Sequence, residues 1–229
     1  MSKPRSANRR AGRSPIALGS SLSQQMNKAL FELLTRLGDE EDASPAQLLV
    51  ARAPKSVAPD RLARMRPGDA AAQEQLRATY EECLRTYRSV VRVKDAGLET
   101  DDAGAALAFF VAANLYALTD VEATPEILAR LERQLGVLAR VTSAWDTAPM
   151  AQRQIYFEQL ATVGVFVAAM AQHAKSQGLD AIAAVQRAAR GYLQHVLGLD
   201  PDLLTLGPDG LALRSARRNG QLASKTSLH

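Results

Sequence analysis

Ala103–Leu118 reads AGAALAFFVAANLYAL and contains one polar side chain, Asn114. A threonine and two aspartates, Thr100–Asp102, precede it, and a hydroxyl followed by carboxylates is typical of a helix start. The pattern predicts a helix over about 101–118 that is apolar on every side. At about sixteen residues this apolar run is shorter than the roughly twenty that a membrane span requires. We therefore expect a core helix that other helices surround.

A second apolar run, ATVGVFVAAMA at Ala161–Ala171, lies within a helix predicted over about 149–176. Gly164 in its middle allows two helix backbones to approach closely, so the two apolar helices are expected to pack together. Three further helices have apolar residues at spacings of three and four on one face, over about 69–94, 125–141 and 182–196. The predicted fold class is all-α, a helical bundle with two apolar central helices sheathed by three amphipathic ones.

The sequence divides the rest of the chain into tails, an arm and a bundle. Residues 1–20 and 214–229 are polar and basic, which predicts disordered tails. Residues 21–68 are expected to form an amphipathic helical arm followed by a proline-rich linker, and residues 69–213 the bundle domain. The apolar stripe of the arm includes Leu30 and Leu33.

The formal net charge of +4 comes from the two tails. Residues 1–14 carry five Lys or Arg and residues 214–229 carry four, with no acid in either segment. Residues 15–213 have 19 basic and 24 acidic side chains, a net charge of −5. Because a nucleic-acid-binding fold concentrates Lys and Arg on its folded surface, nucleic acid is not the expected partner. The single cysteine, Cys83, excludes an internal disulfide and a multi-cysteine metal site.

No motif in the sequence indicates a catalytic, cofactor-binding or metal-binding residue. Glycine-rich phosphate loops, nucleophile elbows and histidine pairs at ligand spacing are all missing. We therefore expect a non-enzymatic protein-interaction module that binds another protein or a second copy of itself, without a cofactor. The amphipathic arm, with Leu30 and Leu33, is the expected docking element. Trp145, in a predicted loop, either anchors a partner or plugs the end of the bundle.

Two other functions stay open. An enzyme or small-ligand binder would have its pocket near Asp101, Asp102, Gln154 and Glu158, at the starts of the two apolar helices. This arrangement requires the two helices to run parallel. A nucleic-acid or membrane-surface binder would act through the basic tails, with strongly salt-dependent affinity.

No transmembrane segment is expected, and no apolar run near the start reaches the length of a signal peptide's core. The expected location is cytoplasmic, or periplasmic or secreted if the true start lies upstream.

Three short motifs enter the predicted helices and turns: LETDDAGAA at Leu98–Ala106, QIYFEQLA at Gln154–Ala161, and GLDP at Gly198–Pro201 with a closing Gly210–Leu211. Their order resembles a bacterial family of all-helical proteins classed as a domain of unknown function. The resemblance spans about residues 76–213 and implies an all-helical fold. It implies no activity and no site residue.

Overall fold

The computed structural model describes residues 21–36, 48–91, 100–137, 143–198 and 200–214. Its helices are α1 (Ser21–Arg36), α2 (Ala58–Arg64), α3 (Ala70–Thr86), α4 (Ala103–Thr119), α5 (Pro125–Gly136), α6 (Ala144–Thr147), α7 (Met150–Gln177) and α8 (Leu179–Leu197). A π-helical turn, Tyr87–Val91, extends α3. The predictions for the tails fall outside the described residues, apart from Arg214.

Helix α4 is the centre of the fold, as the sequence predicts, and thirteen of its seventeen residues are buried. Its start is capped by Asp102, whose carboxylate accepts hydrogen bonds from the backbone N–H groups of Gly104 and Ala105 at 2.8 and 3.3 Å. It ends at Asp120, which adopts a left-handed conformation with φ of 58°. The protein is an all-α helical bundle, and α4 and α7 are its two apolar central helices.

Helices α4 and α7 run parallel. Near their starts, the Arg88 guanidinium lies between Asp101 and Glu158, and near their ends Lys175 pairs with Asp120. Midway, a Cβ atom on Gly164 would lie 2.9 Å from the Phe109 ring and 3.3 Å from the Cα of Phe110. Glycine is therefore required for this close contact. The sequence predicted the close approach at Gly164, and the structure shows that Phe109 and Phe110 of α4 form the contact.

Helix α1 is not an outlying arm. Its apolar stripe packs against α6, α7, α8 and β4 and belongs to the same core as α4. Leu30 and Leu33 are 1% and 6% exposed, so they offer no free docking surface, which corrects the expectation for this helix. An amphipathic stripe indicates that a face must be buried, but it does not specify whether the chain's own core or a partner covers that face.

Two short antiparallel strand pairs accompany the helices. Strands β1 (Leu49–Ala51) and β2 (Thr100–Asp102) pair, as do β3 (Leu204–Gly207) and β4 (Gly210–Leu213). Strands of three or four residues are too short to show a clear alternating pattern, so the sequence did not predict β1 or β2. The pairing of β1 with β2 matters for the site because it brings Arg52 to the start of α4.

Among the described residues, one helix, α7, is long and apolar enough to cross a membrane. Two thirds of its most apolar window is buried inside the bundle (67%). Such burial is typical of a core helix, and this is compatible with the absence of a transmembrane segment.

Candidate functional site

A cleft of about 540 Å³ opens beside the starts of α4 and α7. The segment between β1 and α2 forms one wall, and the C-terminal part of α3 with its π-helical turn forms the other. We call it the basic cleft; it is lined by Arg52, Pro54, Lys55, Ser56, Glu81, Leu84, Arg85, Arg88 and Ser89. Four of these nine side chains are cationic and one is acidic.

One buried carboxylate orders the back of the basic cleft. Asp101 accepts hydrogen bonds from Nε and Nη2 of Arg88, at 3.2 and 2.7 Å from Oδ2, and from Nη2 of Arg52 at 3.0 Å from Oδ1. The Asp101 side chain is only 6% exposed, while those of Arg52 and Arg88 are 33% and 20% exposed. Asp101 therefore fixes two guanidinium groups side by side at the back of the cleft.

The Arg88 guanidinium is also held from its face. Its central carbon lies 5.5 Å from the centre of the Phe157 ring, a cation–π distance. Arg88 belongs to the π-helical turn, and such turns occur frequently at functional sites because they redirect side chains out of the regular helical order. Here the turn places Arg88 between the two apolar helices.

Glu158 holds the wall of the cleft that the segment between β1 and α2 forms. It is fully buried, and its Oε2 accepts hydrogen bonds from the backbone N–H groups of Val57 and Ala58 at 2.8 and 2.9 Å. These N–H groups lie at the start of α2, where the helix dipole stabilises a negative charge. Gln154 donates from Nε2 to Glu158 Oε1 and to the Lys55 carbonyl, at 2.9 and 3.1 Å. The carboxylate is thus committed to holding the Lys55–Ala58 segment.

Three of the four residues predicted near a pocket, Asp101, Gln154 and Glu158, come together behind the basic cleft. Gln154 bonds Glu158, and Arg88 lies 2.7 Å from Asp101 and 4.0 Å from Glu158. The two apolar helices run parallel, as the predicted grouping of these residues requires. None of the four lines the cleft itself, and Asp102 caps α4 apart from this group.

Trp145 lies away from the basic cleft as part of the core. It is 3% exposed, its ring contacts that of Tyr156 edge to face at 6.2 Å, and the Arg153 guanidinium lies 5.5 Å from its centre. The tryptophan therefore plugs the bundle and is not available as an anchor for a partner.

Sequence reasoning missed the residues that line the cleft. Arg52 and Lys55 belong to a proline-rich segment that was interpreted as a linker, and Arg85 and Arg88 to the polar face of a helix. A signal was present, since several cations gather on these two segments while residues 15–213 are acidic overall. Which cations converge depends on tertiary contacts that a spacing pattern does not reveal.

Neighbouring charges determine which cations remain available. Glu81 pairs with Arg77, and Arg77 also pairs with Glu74. Arg85 pairs with Glu82 across the exposed surface of α3, a kind of ion pair that contributes little to stability.

Burial raises the pKa of the Cys83 thiol to about 11, so at neutral pH this cysteine is protonated and a poor nucleophile. Within the described residues, no cluster of three His, Cys, Asp or Glu forms a potential metal site.

A second, smaller cavity of about 180 Å³ lies at the opposite end of the bundle, between α4, α7 and α8. Apolar side chains such as Ile182 and Val185 line it together with the paired Lys175 and Asp120. The Lys175 ammonium also lies 5.0 Å from the centre of the Tyr116 ring. The cavity provides an internal reference for experiments on the basic cleft because it lies at the far end of the same two helices.

Comparison with known proteins gives the family but not the activity. No curated protein and no solved structure matches the chain. The model of a family of unknown function, DUF6683, matches residues 6–214. That range includes the basic cleft and both central helices, and the chain therefore belongs to this family.

Proposed function

We propose that this chain is a non-enzymatic interaction module that binds an acidic segment of another protein in the basic cleft. One observation carries the proposal: four cationic side chains line a single cleft with only one carboxylate among its described lining residues. Acidic motifs are commonly recognised by such clusters of arginine and lysine.

The lining of the cleft and its surroundings favour a protein segment over a small molecule. Small-ligand pockets are lined mainly by apolar and aromatic side chains, whereas this lining is mostly charged or hydroxylic and includes only Pro54 and Leu84 as apolar residues. Leu49 and Val57, which flank the Arg52–Ser56 wall in the chain, are 42% and 44% exposed. Exposed apolar side chains beside a charged cleft suit a peptide that carries both acidic and apolar residues.

The same lining disfavours nucleic acid. Single-stranded nucleic acid is bound through aromatic side chains that stack on bases, and none of the described lining residues is aromatic. The body of the chain, residues 15–213, also has a net charge of −5, which would repel an extended phosphate backbone outside the cleft.

The carboxylates around the cleft favour binding over catalysis. Glu158 already accepts from two backbone N–H groups and from Gln154, Asp101 holds two arginines, and Glu81 pairs with Arg77. A general base needs a lone pair directed at the substrate, and these carboxylates direct theirs at the protein.

Fluorescence anisotropy of a labelled Glu- and Leu-containing peptide of about twelve residues tests the proposal on the full chain. We expect binding that weakens as ionic strength rises from roughly 0.05 to 0.3 M, because exposed charges are screened. Arg85→Glu, in the cleft wall, should weaken binding about tenfold or more through like-charge repulsion.

The matched control is Arg187→Glu, which makes the same charge change at an exposed position of α8 outside the cleft lining. It should leave the affinity within about twofold, since long-range effects of a distant exposed charge are screened. Equal losses in the two variants, or no binding by the unmodified chain, would refute the proposal. Light scattering on the same samples separates partner binding from self-association.

A further inference from the structure

The arginine pair at the back of the basic cleft has hydrogen-bond donors to spare. A guanidinium carries five N–H donors on three nitrogens. Arg88 uses Nε and Nη2 on Asp101, and Arg52 uses Nη2. Within the described part of the chain, Nη1 of Arg88 and both Nε and Nη1 of Arg52 have no acceptor. Both side chains line the cleft, so these donors are available to an occupant.

The pair is also ordered before any ligand arrives. Asp101 is buried, the Phe157 ring lies against the Arg88 guanidinium, and the pairing of β1 with β2 fixes the backbone beside Arg52. Side chains that are already ordered lose little conformational entropy on binding. For long side chains, this loss of entropy is the main cost of binding.

The charge and the donors that are left over suit a phosphoryl group. Two buried carboxylates, Asp101 and Glu158, balance the charges of Arg52 and Arg88, because Arg88 also lies 4.0 Å from Glu158. Lys55 supplies the surplus positive charge, and no ion pair engages it among the described residues. A carboxylate offers two acceptor oxygens to the spare guanidinium nitrogens, whereas a phosphoryl group offers three and carries a charge of about −1.5 to −2 at neutral pH.

We propose that the acidic segment carries a phosphorylated side chain, and that Arg52 and Arg88, aligned by Asp101, bind its phosphoryl oxygens with Lys55 completing the charge. This inference rests on the proposed function and specifies the partner for the same cleft. The three terminal oxygens of the phosphoryl group accept the spare guanidinium N–H groups, an arrangement that planar arginine forks favour. Asp101 acts as a positioning residue because it touches the arginines and not the ligand.

The test compares two labelled peptides of identical sequence, an acidic segment with one central serine and its phosphoserine form, in anisotropy titrations with the full chain. We expect the phosphorylated peptide to bind about tenfold more tightly or better, as added charge-assisted hydrogen bonds would give. Arg52→Lys keeps the charge but loses the fork, so it should reduce this preference to about threefold or less.

Arg85→Lys is the matched control, since Arg85 lines the cleft but does not bond Asp101. It should keep the preference for the phosphorylated peptide. Far-ultraviolet circular dichroism and melting curves establish that both variants fold, and both retain a cation at the substituted position.

The possible outcomes separate the two proposals. Equal affinity for the two peptides overturns the phosphoryl inference and leaves the acidic-segment function standing, whereas no binding of either peptide overturns both. A phosphopeptide preference that survives Arg52→Lys unchanged removes the arginine pair from the explanation and overturns the inference. Inorganic pyrophosphate that binds as tightly as the phosphopeptide would assign the cleft to free phosphates and overturn the peptide source.

Discussion

Glu158 shows how one buried carboxylate can organise a site without acting on a ligand. Each of its two oxygens faces N–H donors: Oε2 faces the backbone of Val57 and Ala58, and Oε1 faces the Gln154 amide. A glutamine at this position must direct its own NH₂ group at one of these donor sets, whichever way the amide is turned. The site therefore requires a group that only accepts hydrogen bonds.

Glu158→Gln should lower the free energy of unfolding by about 1–3 kcal/mol, the cost of leaving a buried donor unsatisfied. Urea denaturation measures the change, with Glu122→Gln, at an exposed loop position, as the control. A loss as small as that of the control would mean that the carboxylate is not needed to hold the Lys55–Ala58 segment.

Gly164 is the residue on which the contact between the two central helices depends. A Cβ atom there would come within 2.9 Å of the Phe109 ring and 3.3 Å of the Phe110 backbone. Gly164→Leu should therefore destabilise the protein by about 1–3 kcal/mol or more through overpacking. Gly191→Ala is a useful contrast, because no atom beyond its chain neighbours and its own helix backbone lies within 4 Å of the Cβ position there. That change should raise stability by up to about 1 kcal/mol, the propensity gain of Ala over Gly in a helix.

Thermal melts of the two glycine variants test this contrast. A midpoint for Gly164→Leu that equals or exceeds that of the unmodified protein would contradict the close contact between α4 and α7. A lowered midpoint for Gly191→Ala would show that the surroundings of that glycine are tighter than its open Cβ position indicates.

Cys83 provides a pH-dependent check of burial at the residue scale. Its thiol has a pKa of about 11 in the folded protein, against roughly 8.5 for a free cysteine. The thiolate is the reactive form, so at pH 8 alkylation by iodoacetamide should be on the order of a hundredfold slower than for free cysteine. The rate should still rise as pH increases from 8 to 10. Alkylation of the native protein at the free-cysteine rate would contradict the burial of this side chain.

At the scale of elements, α1 differs most from the sequence expectation. Leu30 is 1% exposed and belongs to the common core, whereas its neighbour Phe31 is 47% exposed. Leu30→Ala should cost about 2–5 kcal/mol, as large-to-small changes in a packed core do. The loss should appear in the single unfolding transition of the bundle, because α1 and the bundle share that core.

Phe31→Ala on the same helix is the control and should shift stability by no more than about 0.5 kcal/mol. Denaturation followed by both tryptophan fluorescence and circular dichroism provides the measurement. An unchanged main transition for Leu30→Ala, or a separate early transition for α1, would show that this helix is a detachable arm.

Helix α4 could be predicted from the sequence, whereas strand β1 could not. The apolar run around Asn114 and the cap at Asp102 predicted α4 closely, because both signals lie in one continuous stretch of sequence. Strand β1 is three residues long, and its partner β2 lies about fifty residues away, so its pairing leaves no local pattern. The position of Arg52 in the site depends on that pairing.

The same reasoning explains the partial prediction of the site. Asp101, Gln154 and Glu158 could be predicted because they stand at the starts of two recognisable helices that proved parallel. Lys55 and Arg88 could not, because a cation on a polar helix face or in a proline-rich segment is ordinarily solvated. What distinguishes Arg88 is the buried carboxylate of Asp101, and what places Lys55 is the Gln154 amide, which donates to its backbone carbonyl.

At the scale of the whole molecule, the bundle separates scaffold from binding surface. The parallel central helices bring Asp101, Gln154 and Glu158 to one end, where they fix two walls of cationic residues. The opposite end of the same helices forms the smaller cavity, which Tyr116 and Lys175 help to line. A partner attracted by charge should therefore engage one end of the protein and leave the other unaltered.

Amide chemical-shift mapping by NMR, during titration of the full chain with the acidic peptide, tests this claim most directly. We expect shifts to concentrate in the two walls, Arg52–Ser56 and Arg85–Ser89, and Tyr116–Asp120 at the opposite end to stay unchanged. Shifts centred on α1 or on the opposite cavity, with both walls of the basic cleft unaffected, would contradict it.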